Sequence, residues 1–501
     1  MIKRRLVACF LAVVLTLGFA GCKKEVKTSE KSVTNSSVAS VADGSSKKEV
    51  KTSEKSVTLT WLVPGDKQAD LAEVLAAANA IIEPEIGAKL EIQFIDVGAF
   101  SERMTANMAS GMDFDLCFTG YVNEYLNAAR NGGLLDITTM IDKETPALKE
   151  ALPEYAWEAA KMSGGKIYAV PNLQNFFNYS ACEIRSEIVD KYNFDFSSVK
   201  TIDDLEPFLE KIKNGEEGIY PYRPNYGTSM WTNDDYELIT CGIALNKKTK
   251  EIVSIYDTDL YKKAVYKLHD WYNKGYIRPD VASVQNDTQD YNAGKYAFSN
   301  LSWKPGNEVV VKQSKGWDVQ YVKFGKPYFN TSSARLTMTG IGHNSKNPVL
   351  ALKLIELMNT NTELYNIICY GVEGKHYKLD EDKKLEYIPE SGYAPKAPWK
   401  FGNQFNAILE KGQADDVWEE TAELNETSEK SPLLGFALDT NSIVSEISQV
   451  ESIISEYKVM KTGAENPDNY WDTMKKRLKS AGYDKIKAEV ERQVKEFLKN
   501  S

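Results

Sequence analysis

Three side-chain amides, Asn172, Gln174 and Asn175, fall within four residues of one another, with Phe176 and Phe177 directly behind them. An amide donates and accepts, so such a group can read the hydroxyl edge of a polar solute. Trp231 and Trp303 each lie in a segment rich in Gly, Pro or Asn. A flat ring held in a loop can cover the C–H face of a sugar while amides, carboxylates and guanidinium groups reach its hydroxyls. Tyr121, just past a strand-like run, and Arg335 complete the set. The chemistry these residues suit is non-covalent capture, with Tyr121, Asn172, Gln174, Trp231, Trp303 and Arg335 as candidate binding residues.

Covalent chemistry has no comparable signal. The sequence contains no GxSxG, HExxH, Walker A or CxxC pattern. His269, His343 and His376 are far apart, and His269, within LHDWY, reads as a helix-packing residue. Asp380-Glu381-Asp382 lacks a calcium-loop pattern and reads as a solvated turn. No metal and no cofactor is therefore expected, and no catalytic residue is nominated. Acidic residues are abundant, so a glycan hydrolase acting at the cell surface stands as an alternative. A ligand sensor for a membrane kinase is a second.

The elements that would position these residues follow from periodicity. Val57, Leu59, Trp61 and Val63 alternate with threonines, a strand ending at Pro64-Gly65. Leu71 to Ile82 carries helical spacing, Leu90, Ile92 and Phe94 alternate again, and a helix over 100–110 leads to a strand at 113–119. This β-α-β-α-β order predicts a parallel sheet with helices on its faces and a ligand beyond the carboxyl ends of the strands. Asp66, Thr119 and Tyr121 then sit on the rim of a cleft. Gly164-Gly165, a short run to Val170 and Pro171 lead through the amides into a second run, Tyr179 to Ile184. That geometry suits a chain leaving one lobe and entering another. A new unit starts at the Thr201–Asp204 capping pattern. Pro221 to Trp231 reads as an aromatic loop that includes Tyr222 and Tyr226. The strand near Leu336–Met338 and a buried helix opened by Asn347-Pro348 read as a return to the first lobe. Residues 404–500 are mostly helical.

At 501 residues the chain exceeds a single core. Residues 1–58 hold 11 basic and 5 acidic residues, leaving 50 basic and 66 acidic residues in the body. An acidic body argues against nucleic acid as a partner. Lys3-Arg4-Arg5 precedes an apolar run to Phe19, too short to span a bilayer, ending in Phe19-Ala20-Gly21-Cys22. The pattern is similar to a lipoprotein signal in which Cys22 is diacylated, and two chains give stable anchoring. The segment KKEVKTSEKSVT occurs at 23–34 and again at 47–58. With few large apolar residues, 23–58 is expected to be a disordered tether. The remaining cysteines, in apolar surroundings, are expected to be free thiols.

The GKIYAVPNLQ segment resembles the inter-lobe crossover of family 1 extracellular solute-binding proteins, the ligand-capturing components of ABC importers. The likeness continues through EIVDKYNFDFSSVKTIDDLEPFLEKIK and LHDWYNKGYIRPD. The tail (YGVEGKHYKLD, WKFGNQF, SPLLGFALDT) resembles a lipoprotein branch with a C-terminal DUF3502 domain. The resemblance implies an α/β, two-lobed periplasmic-binding-protein-like fold of class II, with lobes joined by hinge strands and a helical C-terminal region. Lobe 1 is expected at 59–176 and 328–376, lobe 2 at 177–327 and 377–501. It further implies a monomer on the extracytoplasmic face of the cell membrane that binds a solute, expected to be a saccharide, and delivers it to ABC permease subunits.

Overall fold

The computed structural model describes residues 56–500 apart from 226 and 285. The signal segment, Cys22, Tyr226 and all but the last residues of the repeated tether lie outside that range. Val57–Pro64 is a strand as expected, which makes Val57 and Thr58 the start of the folded body rather than the end of the tether. It lies inside a five-stranded sheet in the order 88–95, 57–64, 116–120, 337–341, 169–171. The first three strands are parallel, and 337–341 runs antiparallel to both of its neighbours. From Trp61 to Pro64 every residue is buried, as a parallel strand covered by helices on both faces requires. The helix Val97–Ala109 is started by Asp96, whose carboxylate accepts from the Ala99 amide at 3.1 Å. Pro348–Thr360 begins at Asn347-Pro348 and buries Ala351, Leu352, Leu354, Ile355 and Met358.

One hydrophobic core runs from Leu59 through Phe176 and resumes at Phe329. It also takes in Tyr377, Leu385, Phe401 and Ala407. This corrects the expected boundary at 376: the segment to about 407 packs on the first lobe. A hairpin, 377–379 with 385–387, turns Tyr377 back onto Tyr370, with ring centroids 6.2 Å apart. Spacing along the chain carries no trace of that long-range packing.

The second lobe is built on a four-stranded sheet in the order 319–323, 180–185, 296–302, 220–223. Tyr220–Arg223 is a strand, so the expected loop from Pro221 is corrected at its start. Pro221 is tolerated because this strand is the sheet edge and runs parallel to its one neighbour. A separate core joins the meander 236–254 to the C-terminal helices Val444–Glu456, Trp471–Ser480 and Tyr483–Asn500.

The lobes are joined by three crossings, and these form a small sheet of their own. Phe177–Asn178 pairs antiparallel with Tyr328–Phe329, which pairs parallel with Glu429–Lys430. Glu237, on the meander of the second lobe, is buried beside them. Its carboxylate accepts from Tyr328 Oη at 2.7 Å and from Ser431 Oγ at 2.6 Å. The architecture is the two-lobed α/β fold of the class II periplasmic-binding-protein type, with a helical C-terminal region.

Candidate functional site

The carboxyl ends of the first lobe's strands carry Asp66 and Tyr121 to one rim. Gly120 lets the chain turn there: at φ +144° an added Cβ would run into the Leu336 carbonyl. The Tyr121 amide donates to that carbonyl at 2.8 Å, and the ring stands 49% exposed. Beside it is Trp399, its ring centroid 5.8 Å from that of Tyr121, with Phe118 packed edge-on beneath both. An exposed ring beside a half-buried one, just past the end of the central strand 116–120, suits a platform.

Asn172 explains how Trp399 is held. Its Nδ2 donates to the Trp399 carbonyl at 3.3 Å and to the Lys400 carbonyl at 2.9 Å. Its Oδ1 accepts from Thr339 Oγ1 at 3.0 Å. Both ends of this buried amide are used, so Asn172 fastens the Pro398–Lys400 turn instead of presenting itself to solvent, a correction to its expected role. Lys400 is buried under the same turn and donates to the Pro64 carbonyl at 2.6 Å. Burial pushes its ammonium below the usual lysine range, with the Asp66 carboxylate opposing that shift.

Gln174 also turns inward, its Nε2 donating to Thr337 Oγ1 at 2.5 Å. Asn425 closes the same stretch: its amide donates to the Gln174 carbonyl and accepts from the Phe176 N–H, both at 2.7 Å. Arg335 is 8% exposed and donates to the backbone carbonyls of Ala159 at 2.6 Å and Lys161 at 2.5 Å. Burial pushes its guanidinium down to about 10. It fastens loops within the scaffold, so its expected ligand role is likewise corrected.

On the second lobe Trp303 stands at the end of the strand 296–302. Its ring meets Tyr179 edge-on at 5.9 Å, its Nε1 donates to Glu308 at 3.2 Å, and Lys323 Nζ sits 3.7 Å above the ring centroid. Trp303 is thus a mostly buried ring, 7% exposed, at the cleft side of its sheet. Trp231 leans onto Trp271, 5.5 Å between centroids, and donates to Asp203 at 2.8 Å. It packs against the second lobe's own core and does not line either cavity described below.

Two cavities meet the crossings. One, of about 270 Å³, is lined by Asn178, Ser302, Glu237, Tyr328 and Asn330. The other, of about 150 Å³, lies between Lys304–Asn307 of the second lobe and Trp399, Glu410 and Trp418 of the first, with Asn175 from the crossover. Trp399, Tyr179, Lys304 and Glu410 were not singled out from sequence. Trp399 follows a proline and shortly precedes Gly402, the same loop composition that drew attention to Trp303. Among the described residues no group of three or more His, Cys, Asp or Glu could hold a metal ion, and no helix is long and apolar enough to cross a membrane. Cys117, Cys182, Cys241 and Cys369 are free thiols.

Comparison with known proteins adds an independent line. Residues 68–363 match the family described as bacterial extracellular solute-binding protein, and residues 432–499 match the domain of unknown function DUF3502. A protein of Streptococcus pneumoniae named as a carbohydrate ABC transporter substrate-binding protein is 30% identical over 455 residues, covering 87% of this chain and 90% of that protein. The crystal structure of the N-glycan transport solute-binding protein NgtS of Streptococcus pneumoniae aligns with a TM-score of 0.81 at 28% identity, covering 89% of this chain and 99% of that one. Its complex with Man1GlcNAc gives 0.75 at 28% identity (88% and 99% covered), and its complex with Man5GlcNAc gives 0.72 at 27% identity (89% and 99% covered). By family match, relative and fold together, the chain belongs to the bacterial extracellular solute-binding protein family.

Proposed function

We propose that the protein is the extracytoplasmic receptor of a carbohydrate ABC importer, which takes an oligosaccharide of the N-glycan kind between its lobes and hands it to the permease. One observation carries the reading. The exposed Tyr121 beside the half-buried Trp399, and the half-buried Tyr179 beside the edge of Trp303, lie at the cleft-side ends of the two lobes' sheets. Sugar rings need such surfaces, with polar groups around them, in a site that closes over the solute. The NgtS relative, described with Man1GlcNAc and Man5GlcNAc, supports the ligand class.

The fold is more similar to the NgtS structure named without a sugar than to either complex. Contacts to both lobes exist only when closed, so a bound sugar shifts the population toward closure. The three-stranded hinge is the element that bends. The receptor acts as a monomer without turnover, held at the membrane by a diacylated Cys22 through the repeated segment.

Titration calorimetry with Man5GlcNAc on the purified body tests this, together with small-angle scattering and chromatography of the sugar afterwards. Saturable binding, a smaller radius of gyration and unchanged sugar are expected. Absence of binding to any N-glycan fragment, or multiple turnovers to shorter sugars, would count against the reading.

A further inference from the structure

The cavity of about 150 Å³ beneath Trp399 is too small for an oligosaccharide. Sites that bury drug-sized ligands run to about 300–1,000 Å³, so this one has room for a single ring. Its wall of Pro305–Asn307 and Gln413 is a contact between lobes: Gln413 Nε2 donates to the Gly306 carbonyl at 3.5 Å, and nearby Gln313 donates to the Lys411 carbonyl at 3.0 Å. A ring entering from the cleft meets that wall.

Four polar ends in this small space have no protein hydrogen-bond partner or ion pair among the described residues. They are Lys304 Nζ, the Glu410 carboxylate, the Asn175 amide and the Trp399 indole N–H. All four residues are half-buried and none of these atoms is cut off from water, so ligand hydroxyls can take the place of solvent on them. Burial pushes the Lys304 ammonium down, opposed by the Glu410 charge, and pushes the Glu410 carboxyl up, opposed first by Lys396 of the same cavity and then by Lys304. Trp418, held by its Nε1 bond to the Ala407 carbonyl at 2.9 Å, adds a fixed ring. Donors, acceptors and flat rings converging on a one-ring space match the face and edge of a pyranose.

We propose that this cavity is an end subsite: it takes one terminal pyranose of the oligosaccharide, with Lys304 and Glu410 bonding that ring's hydroxyls, while the rest of the chain lies along the Tyr121–Trp399 and Tyr179–Trp303 rims. The inference rests on the oligosaccharide reading of the cleft. It adds that the ligand is recognised from one end, so the cavity's contribution is the same for short and long chains that share their terminal ring.

Man1GlcNAc and Man5GlcNAc, which share a terminal N-acetylglucosamine, serve as probes for the wild type, Glu410→Gln and Lys304→Met by calorimetry, with melting temperature as the folding control. Both variants should bind each probe about 10- to 100-fold more weakly, the scale of losing a hydrogen bond to a charged group, and the affinity ratio between the probes should not change. Should Lys304→Met fail to fold, the conservative Glu410→Gln decides. Wild-type binding with unchanged affinity in the folded variants, or a loss confined to the longer probe, overturns the end subsite and leaves the oligosaccharide reading standing. Wild-type protein that binds neither probe overturns both.

Discussion

The rings of Tyr121 and Trp399, distant in sequence, stand edge to face with centroids 5.8 Å apart at the rim of the first lobe. Asn172, just past the edge strand 169–171, makes this possible by holding the Trp399 and Lys400 carbonyls. The amide that looked like a ligand contact is a bracket for the ring that faces the cleft.

Tyr121→Ala removes an exposed ring face and should weaken oligosaccharide binding by about 1–3 kcal/mol, the scale of burying such a side chain. Because the ring is half out of the protein, the melting temperature should change little. Calorimetry and thermal denaturation on one preparation check both, and a large stability loss with unaltered affinity would refute the platform role.

Trp303→Ala should behave differently. That ring is mostly buried against Tyr179 and under Lys323. Its removal should lower stability by about 3 kcal/mol, as for large aromatic truncations, and weaken binding as well. Denaturant unfolding reads the first effect and a sugar titration the second.

Glu237→Ala should loosen the hinge. It leaves the hydroxyls of Tyr328 and Ser431 without their shared acceptor, at a cost of about 1–3 kcal/mol for each buried group left unpaired. Hydrogen exchange should rise at 177–178, 328–329 and 429–430 more than in the five-stranded sheet. Uniform exchange across the protein would argue against a local brace.

Acid stability should depend on Glu206. Burial raises its carboxyl, but Lys267 and Lys274 outweigh that and hold it down to about 2. The folded value lies below the ordinary glutamate value of 4.5, so the stabilisation is fully present above that pH and is lost as pH falls toward about 2. In Glu206→Gln the acid limb of the stability curve should flatten between those values. An unchanged limb in urea titrations across that window would remove Glu206 from the account.

Cys22→Ala should release the protein from membranes or leave the precursor uncleaved, since two acyl chains are what fix such an anchor. Deleting one copy of KKEVKTSEKSVT at 23–34 should leave melting temperature and affinity of the body unchanged. Fractionation and mass spectrometry of the mature N-terminus test the anchor, and a free unmodified Cys22 would contradict it.

Periodicity alone determined much of this protein. Alternation at Val57–Val63, the capping pattern at Thr201 and the Asn347-Pro348 start are local signals, and local sterics and hydrogen bonding realise them in the strands and helices observed. The burial of Trp61, Trp157, Trp271 and Trp471 follows from their settings in such elements. The crossover at Phe177–Asn178 was likewise legible, because Pro171 and the amide cluster interrupt two strand runs. Tertiary structure alone decided what the polar residues do. Whether Asn172 or Arg335 meets a ligand depends on which backbone carbonyls stand opposite, and those at Trp399, Lys400, Ala159 and Lys161 arrive from distant segments. The partnering of Tyr121 with Trp399, the meeting of Lys304 with Glu410 across one small cavity, and the third hinge strand at Glu429–Lys430 share that cause. A side chain's type fixes the bonds it can make, but only the packed fold fixes which groups are left over to make them with a solute.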